Sequence, residues 1–146
     1  MILLIGFNAC KEKETAPDYT TNYVGVFTET RISPKTSNIP EEKYVYEFSF
    51  SKKDNNTLNL NYTSTLTYIY NNNNYTQKDS YSLSDIKVDN SVMTLNEAVK
   101  LNYYGTDYNI LFTGTGNLSN NSLLMIVNQE GSNFPKETKK YILLKK

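Results

Sequence analysis

The chain contains no histidine, no tryptophan and a single cysteine, Cys10. Imidazole is the commonest general acid or base in enzymes and a preferred zinc ligand, so much catalytic and zinc chemistry is excluded. One cysteine cannot form an internal disulfide, so the fold must be stable through packing alone. Fifteen basic residues balance fifteen acidic ones, and this zero net charge argues against a nucleic-acid partner.

Other catalytic patterns are missing as well. The many serines and threonines have no histidine and no Ser-x-x-Lys motif to activate them, which makes nucleophilic catalysis improbable. The Gly114-x-Gly116 step lacks the later glycine of a phosphate-binding loop, and no aspartate has the spacing of a calcium loop. We therefore predict no catalytic residue, no metal site and no cofactor, and we expect that the protein is not an enzyme.

Tyrosine is abundant, at thirteen residues, and asparagine occurs in runs such as Asn71 to Asn74. Tyrosine suits half-buried strand surfaces, whereas asparagine favours tight turns. Apolar residues recur with a period of two after Tyr23, which indicates strands with one buried face. The clearest examples are Tyr44 to Phe50 and the long stretch from Leu58 to Tyr70, which is one curved strand or two strands sharing a bend.

Turn residues divide the rest of the chain into further strands. The asparagine run predicts one hairpin and Asp89-Asn90 a second, while Leu123 to Val127, apolar on both faces, predicts a doubly covered strand. A turn at Asn96 to Ala98 is favoured and would expose Glu97, although an uninterrupted strand would point that carboxylate inward. The fold class is all-β: an antiparallel meander of about 8–10 strands closed into a small barrel, with a two-sheet sandwich as the alternative.

The beginning of the chain has a distinct pattern. An apolar run, Met1 to Phe7, is followed by Ala9, Cys10 and a charged stretch. It is too short for a transmembrane helix, which needs about 20 apolar residues, and it resembles the signal peptide and lipidation box of bacterial lipoproteins. The resemblance implies a signal peptide at 1–9, truncated if the true start lies upstream, acylated Cys10 with a polar tether at 10–22, and one domain at 23–146. A short buried strand or an ordinary N-terminus with an inert thiol remains the alternative.

Two further segments carry a resemblance, Tyr23 to Thr28 and Tyr108 to Leu123, the second with its Gly114-x-Gly116 step before a polar turn. They resemble small lipocalin-like, calycin-type lipoproteins of Bacteroidota, a group of unknown function. Together with Cys10, this implies a protein of the bacterial cell envelope, held in the outer membrane by its acyl chains and facing the periplasm or the exterior. We expect a monomer whose constant partner is the lipid bilayer.

Five tyrosines are the candidate ligand-binding residues, because each ring combines apolar area with a hydroxyl group: Tyr44, Tyr46, Tyr62, Tyr68 and Tyr70. They could equally be core and rim packing. The leading hypothesis is a non-enzymatic binding or accessory module with a tyrosine-lined barrel, for a small apolar or glycan ligand. The alternatives are a structural or inhibitory protein that acts on an envelope protein through its outer surface and loops, and a carboxylate-based enzyme acting on glycans.

Overall fold

The computed structural model describes residues 14–37, 40–103, 106–119, 121–132 and 134–146. Cys10 and the predicted signal peptide lie outside these residues. Among the described residues there is one short 3-10 helix, Thr21–Tyr23, and the strands are β1 (Gly25–Ser33), β2 (Glu42–Lys52), β3 (Thr57–Tyr70), β4 (Asn73–Asp89), β5 (Val92–Tyr103), β6 (Thr106–Ser119), β7 (Ser122–Gly131) and β8 (Phe134–Lys145).

These eight described strands form an antiparallel meander that closes on itself, from β1 to β8 in sequence order. The predicted fold class is thereby confirmed as a barrel. The stretch from Leu58 to Tyr70 belongs to a single strand, β3, and the asparagine run makes the β3–β4 hairpin turn. Asn71 and Asn72 both have positive φ, 48° and 61°, as a tight two-residue hairpin turn requires, and asparagine tolerates this conformation.

Two of the strand junctions are paired only near one end of the barrel. β4 pairs with β5 from Lys87 to Asp89, and β1 pairs with β8 at Phe27 and Thr28. The other neighbouring strands pair along most of their length. We call the end with both closures, which carries the β2–β3, β4–β5 and β6–β7 turns, the lower end. Above it, the halves β1–β4 and β5–β8 separate along both seams.

Residues just before β1 cover the lower end. The 3-10 helix buries Tyr23, whose hydroxyl donates a hydrogen bond to the Ser91 carbonyl oxygen. Thr20 is fully buried, and its Oγ1 donates to the Asp54 carbonyl at 3.0 Å. Tyr19 N–H donates to the Asn55 carbonyl at 2.9 Å. We call Tyr19 to Tyr23 the plug. β1 therefore starts at Gly25, after the plug. Contacts with the barrel already begin within residues 10–22, the segment expected to be a tether.

Side chains on the inner faces of the strands build the core. β7 and the lower parts of β3 and β4 place buried residues at alternate positions, as a sheet with one covered face does. The largest fully buried side chains include Tyr23, Phe27, Phe112 and Tyr141. The core therefore runs through the barrel from the plug upward.

The prediction that Leu123 to Val127 is covered on both faces is wrong. Leu123, Met125 and Val127 are buried, but Leu124 is 38% exposed and Ile126 is 42% exposed. In β7 these two residues point away from the interior, and no further layer of described residues lies outside the barrel. Leu124 and Ile126 therefore form part of the outer surface of the barrel as apolar side chains.

The favoured turn at Asn96 to Ala98 is also wrong. β5 runs without interruption from Val92 to Tyr103, and Glu97 pairs with Phe112 of β6. Alternation places Glu97 on the inner side of β5 with Leu95 and Val99, and its side chain is half-buried. The less favoured interpretation of this carboxylate is therefore the one the structure supports.

Candidate functional site

The five candidate tyrosines lie on one side of the β2–β3 sheet. All are at even positions, and strand register aligns even residues of β2 with even residues of β3. Phe48 lies opposite Tyr62, and Glu42 lies opposite Tyr68. This side is the inner face, since Tyr62 at its lower part is 6% exposed. The five tyrosines differ in their distance from the lower end of the barrel.

The lower part of this face belongs to a packed aromatic cluster, which we call the sealed cluster. Ring centroids lie 4.5 Å apart for Tyr62 and Tyr81, and 5.0 Å apart for Tyr81 and Phe112. Phe48 lies edge-on to both Tyr62 and Tyr141, at 4.8 Å and 4.9 Å. Such tilted and edge-to-face contacts are the preferred geometry of aromatic pairs.

Little space remains inside the sealed cluster. The cavity bordered by Tyr81, Phe112, Gln129 and Tyr141 has a volume of about 10 Å³, which is room for a single water. The lower tyrosines therefore fill the interior of the barrel. A ligand larger than water has to bind elsewhere on the described part of the chain.

Burial changes the acidity of these tyrosines. Loss of hydration raises the pKa of Tyr62 to about 12, although hydrogen bonds with Ser64 and Tyr141 act in the opposite direction. The pKa values of Tyr81 and Tyr141 are raised further, again mainly by burial and then by the neighbouring phenol of Tyr62. All three are neutral phenols at physiological pH.

An arginine closes the seam between β1 and β8 above their last backbone pair. The Arg31 guanidinium lies over the rings of Tyr46 and Tyr141, 5.4 Å and 5.1 Å from their centroids. It is paired with Glu29 at 2.6 Å and donates a hydrogen bond to the Lys140 carbonyl oxygen. Glu29 in turn accepts a hydrogen bond from the Ile142 N–H at 3.1 Å. Side chains of β1 thus replace backbone pairing with β8 and cover one edge of the sealed cluster.

The upper part of the same face is open to solvent. The rings of Tyr68 and Tyr75 stack across the β3–β4 hairpin, 5.1 Å apart at an angle of 11°. Tyr75 is 41% exposed and Tyr70 is 53% exposed, whereas Tyr44 and Tyr68 are half-buried. We call Tyr44, Tyr68, Tyr70 and Tyr75 the open tyrosine face.

Polar side chains alternate with these rings. Glu42 lies opposite Tyr68 and accepts a hydrogen bond from the Tyr44 hydroxyl at 2.8 Å. On β4, the Gln77 amide donates to Asp79 at 3.2 Å, and both side chains are exposed. The open tyrosine face therefore combines flat apolar rings with carboxylate and amide groups.

A groove lies at the same tip of the hairpin, between it and the segment that precedes β2. Its volume is about 860 Å³. Its described lining residues are polar for the most part: Lys35, Pro40, Glu41, Lys43, Thr67, Tyr68, Ile69, Asn71, Asn72, Asn74, Tyr75 and Thr76. Tyr68 and Tyr75 also line this groove. Its other lining residues on the strands lie at the alternate, outward-facing positions: Lys43, Thr67, Ile69, Asn74 and Thr76. The groove is therefore mainly on the other face of the hairpin from the open tyrosine face.

Sequence reasoning missed several residues of the site. Tyr75 and Tyr81 lie at odd positions of β4, and the hairpin register brings them beside Tyr68 and Tyr62. That register could have been counted outward from the Asn71-Asn72 turn. No local pattern signals Arg31 or Tyr141, because they meet through closure of β1 against β8.

Two further features concern metal binding and membrane-spanning helices. The described residues contain no group of three or more His, Cys, Asp or Glu side chains placed to hold a metal ion. No helix in the described ranges is long and apolar enough to cross a membrane.

The eight-stranded antiparallel barrel is consistent with a lipocalin-like fold. Comparison with models of known protein families gave no match, and comparison with curated protein sequences gave none either.

Proposed function

We propose that this protein is a non-enzymatic binding module of the bacterial cell envelope, anchored through acylated Cys10, and that it binds a glycan on its open tyrosine face. The observation that carries the ligand proposal is the stacked, solvent-accessible pair Tyr68–Tyr75. The flat apolar faces of sugar rings pack on exposed aromatic rings, while their hydroxyl groups need hydrogen-bonding partners. Glu42 and Gln77 supply such partners on the same face.

The packed interior supports an external site. A lumenal ligand of drug size needs a pocket of about 300 Å³ or more, and the sealed cluster leaves about 10 Å³. The groove beside the open tyrosine face, about 860 Å³, has room for several sugar units. The hairpin tip therefore carries the aromatic platform on one face, and the groove lies next to it on the other face.

The ligand proposal is tested by binding of the purified full chain to an array of envelope and host oligosaccharides, followed by calorimetry on the best binder. Tyr68→Ala or Tyr75→Ala should weaken binding about tenfold, because one lost aromatic contact costs up to about 1.5 kcal/mol. Tyr68→Phe and Tyr75→Phe keep the flat ring and should retain most of the affinity. An array without any bound glycan, or alanine variants that bind as well as the original chain, would refute the ligand class.

The anchor is tested by labelling cells with radioactive palmitate. The original chain should take up the label and fractionate with membranes, whereas Cys10→Ser should lose the label. A Cys10→Ser variant that remains labelled and membrane-bound would refute the anchor without affecting the ligand proposal.

A structural or inhibitory protein that acts on an envelope partner is the second candidate function. The filled interior favours it, since a solid barrel presents only outer surfaces and loops. Photo-crosslinking from the outer faces of the strands in intact cells would then trap one envelope protein, and Tyr68→Ala would leave that crosslink unchanged.

A further inference from the structure

Four aliphatic side chains lie together on the outer surface of β7 and β8. Ile142 is 59% exposed and Leu144 is 63% exposed, and they are accompanied by Leu124 and Ile126. Leu124 lies directly opposite Ile142 in the β7–β8 register, and the other two are their diagonal neighbours. We call Leu124, Ile126, Ile142 and Leu144 the apolar stripe.

Lysines flank the apolar stripe at both ends. The outward positions of β8 and the residue after it read Lys140, Ile142, Leu144 and Lys146, and Lys140 lies opposite Ile126. Lys146 is 60% exposed while it contacts Glu47 at 3.2 Å. Lysine has a long apolar stem and a charged end, so it can lie along an apolar surface while its ammonium group meets anionic headgroups.

The apolar stripe lies beside the end of the barrel from which the chain leads back to Cys10. Lys146 N–H donates to the Val26 carbonyl at 2.8 Å, and Lys145 N–H donates to the Asn121 carbonyl at 2.7 Å. Val26 is three residues after Tyr23 of the plug. The residues from Cys10 to Tyr19 span at most about 30 Å when fully extended. A bilayer that holds acylated Cys10 is therefore within reach of the stripe.

We propose that the apolar stripe is a membrane-contact surface, which places its aliphatic side chains at the boundary between headgroups and acyl chains and its lysines on anionic phosphates. This inference rests on the lipid anchor of the proposed function and extends it, since the acyl chains hold only Cys10 and a second contact would hold the barrel itself against the bilayer. A second copy of the chain fits the apolar stripe less well than a bilayer does. A stable dimer buries about 800 Å² on each partner, more than four part-exposed aliphatic side chains provide, and the flanking lysines would repel each other.

The experiment uses the acylated full chain in vesicles of phosphatidylethanolamine and phosphatidylglycerol. Cys10 is the only cysteine, and acylation blocks its thiol, so a single introduced cysteine can carry an environment-sensitive fluorophore. The labelled variants are Leu144→Cys and, as an independent second position, Ile142→Cys. The matched control is Leu111→Cys, which lies on the outer face of β6, is 43% exposed and is paired with Ala98 and Glu130 away from the stripe.

Fluorophores at 144 and 142 should shift to shorter wavelength on vesicles and be quenched several-fold more strongly by a lipid-borne quencher than the fluorophore at 111. Vesicles of zwitterionic phosphatidylcholine, which carries no net charge, should reduce this difference, because the lysines lose the anionic phosphatidylglycerol headgroups. Equal, aqueous-like signals at all three positions would overturn the contact surface while palmitate labelling still upheld the anchor. If labelling shows no acylation, the same substitutions are made together with Cys10→Ser and mixed with excess vesicles, and the absence of a shift at 142 and 144 again overturns the proposal. A shift that depends on protein concentration and persists without vesicles identifies a second copy as the occupant, and also overturns it.

Discussion

Alkaline pH should destabilise this protein through the buried tyrosines of its sealed cluster. Burial raises the pKa of Tyr62 to about 12 and raises the pKa values of Tyr81 and Tyr141 still further. In the unfolded chain all three phenols ionise near their ordinary value of about 10. Because the folded pKa values lie above the unfolded ones, the stability they contribute is fully present below about pH 10. It is lost as the pH rises through the folded values.

The size of the effect follows from the same linkage. At about pH 11, one tyrosine that ionises only in the unfolded chain lowers the free energy of unfolding by about 1.4 kcal/mol. Three such groups together remove about 4 kcal/mol, a large part of the 5–15 kcal/mol that stabilises a typical domain. The midpoint of urea unfolding should therefore fall steeply as the pH rises above about 10.

Two phenylalanine variants separate this effect from the titration of surface lysines. Tyr62→Phe should reduce the loss of stability at about pH 11 by about 1.4 kcal/mol, because one ionising group is gone. Tyr70→Phe, which removes the hydroxyl of a tyrosine that is 53% exposed, is the matched control. The reasoning is refuted if both variants and the original chain lose the same stability, or if ultraviolet absorbance shows every tyrosine ionising near pH 10 in the folded protein.

Four other substitutions test individual contacts of the barrel by urea or thermal unfolding. Gly114→Ala should cost about 3 kcal/mol, because its new Cβ would overlap the Ile126 carbonyl oxygen. Gly116→Ala should cost less, because its Cβ meets the ends of the Met93 and Leu123 side chains rather than backbone. Equal losses for the two glycines would contradict this account. Arg31→Met should cost about 2 kcal/mol through lost charged hydrogen bonds at the β1–β8 seam, and an unchanged urea midpoint would show that this seam does not need them. Hydrogen bonds from neighbouring groups hold the pKa of Asp18 well below its ordinary range, so its stabilisation is present above about pH 4 and is lost as the pH falls further. Asp18→Asn should flatten that acid dependence, and a variant as acid-sensitive as the original chain would contradict it.

Local pattern was sufficient for the architecture. A period of two in the apolar residues predicts strands whatever their partners are, and asparagine pairs mark the hairpin turns. Once the strands follow each other as hairpins, the even positions of β2 and β3 must share one face. The side-by-side arrangement of Tyr44, Tyr46, Tyr62, Tyr68 and Tyr70 was therefore accessible from the sequence.

Local pattern could not predict which faces of a strand are covered, or which segments are held extended by pairing with a neighbouring strand. Leu123 to Val127 has the composition of a strand covered on both sides, but burial depends on whether another layer exists, and none of the described residues covers its outer face. The Asn96 to Ala98 segment has turn-forming residues, yet pairing with β6 keeps it extended and turns Glu97 inward. In this second case tertiary pairing overrides local propensity.

The choice between core packing and ligand binding for the tyrosines shows the same limit more sharply. Tyr62 and Tyr68 lie on one face of one strand, six residues apart, and have the same kind of neighbours in sequence. Tyr62 is enclosed because Phe48 and Tyr81 pack against its ring. Tyr141 and Phe112 of the second half of the barrel pack against those two rings in turn. Tyr68 lies further up the β3–β4 hairpin, well beyond Lys87 to Asp89, where β4 is paired with β5. Both interpretations of the tyrosines thus hold on a single strand, and the height at which the two halves separate decides which one applies to each ring.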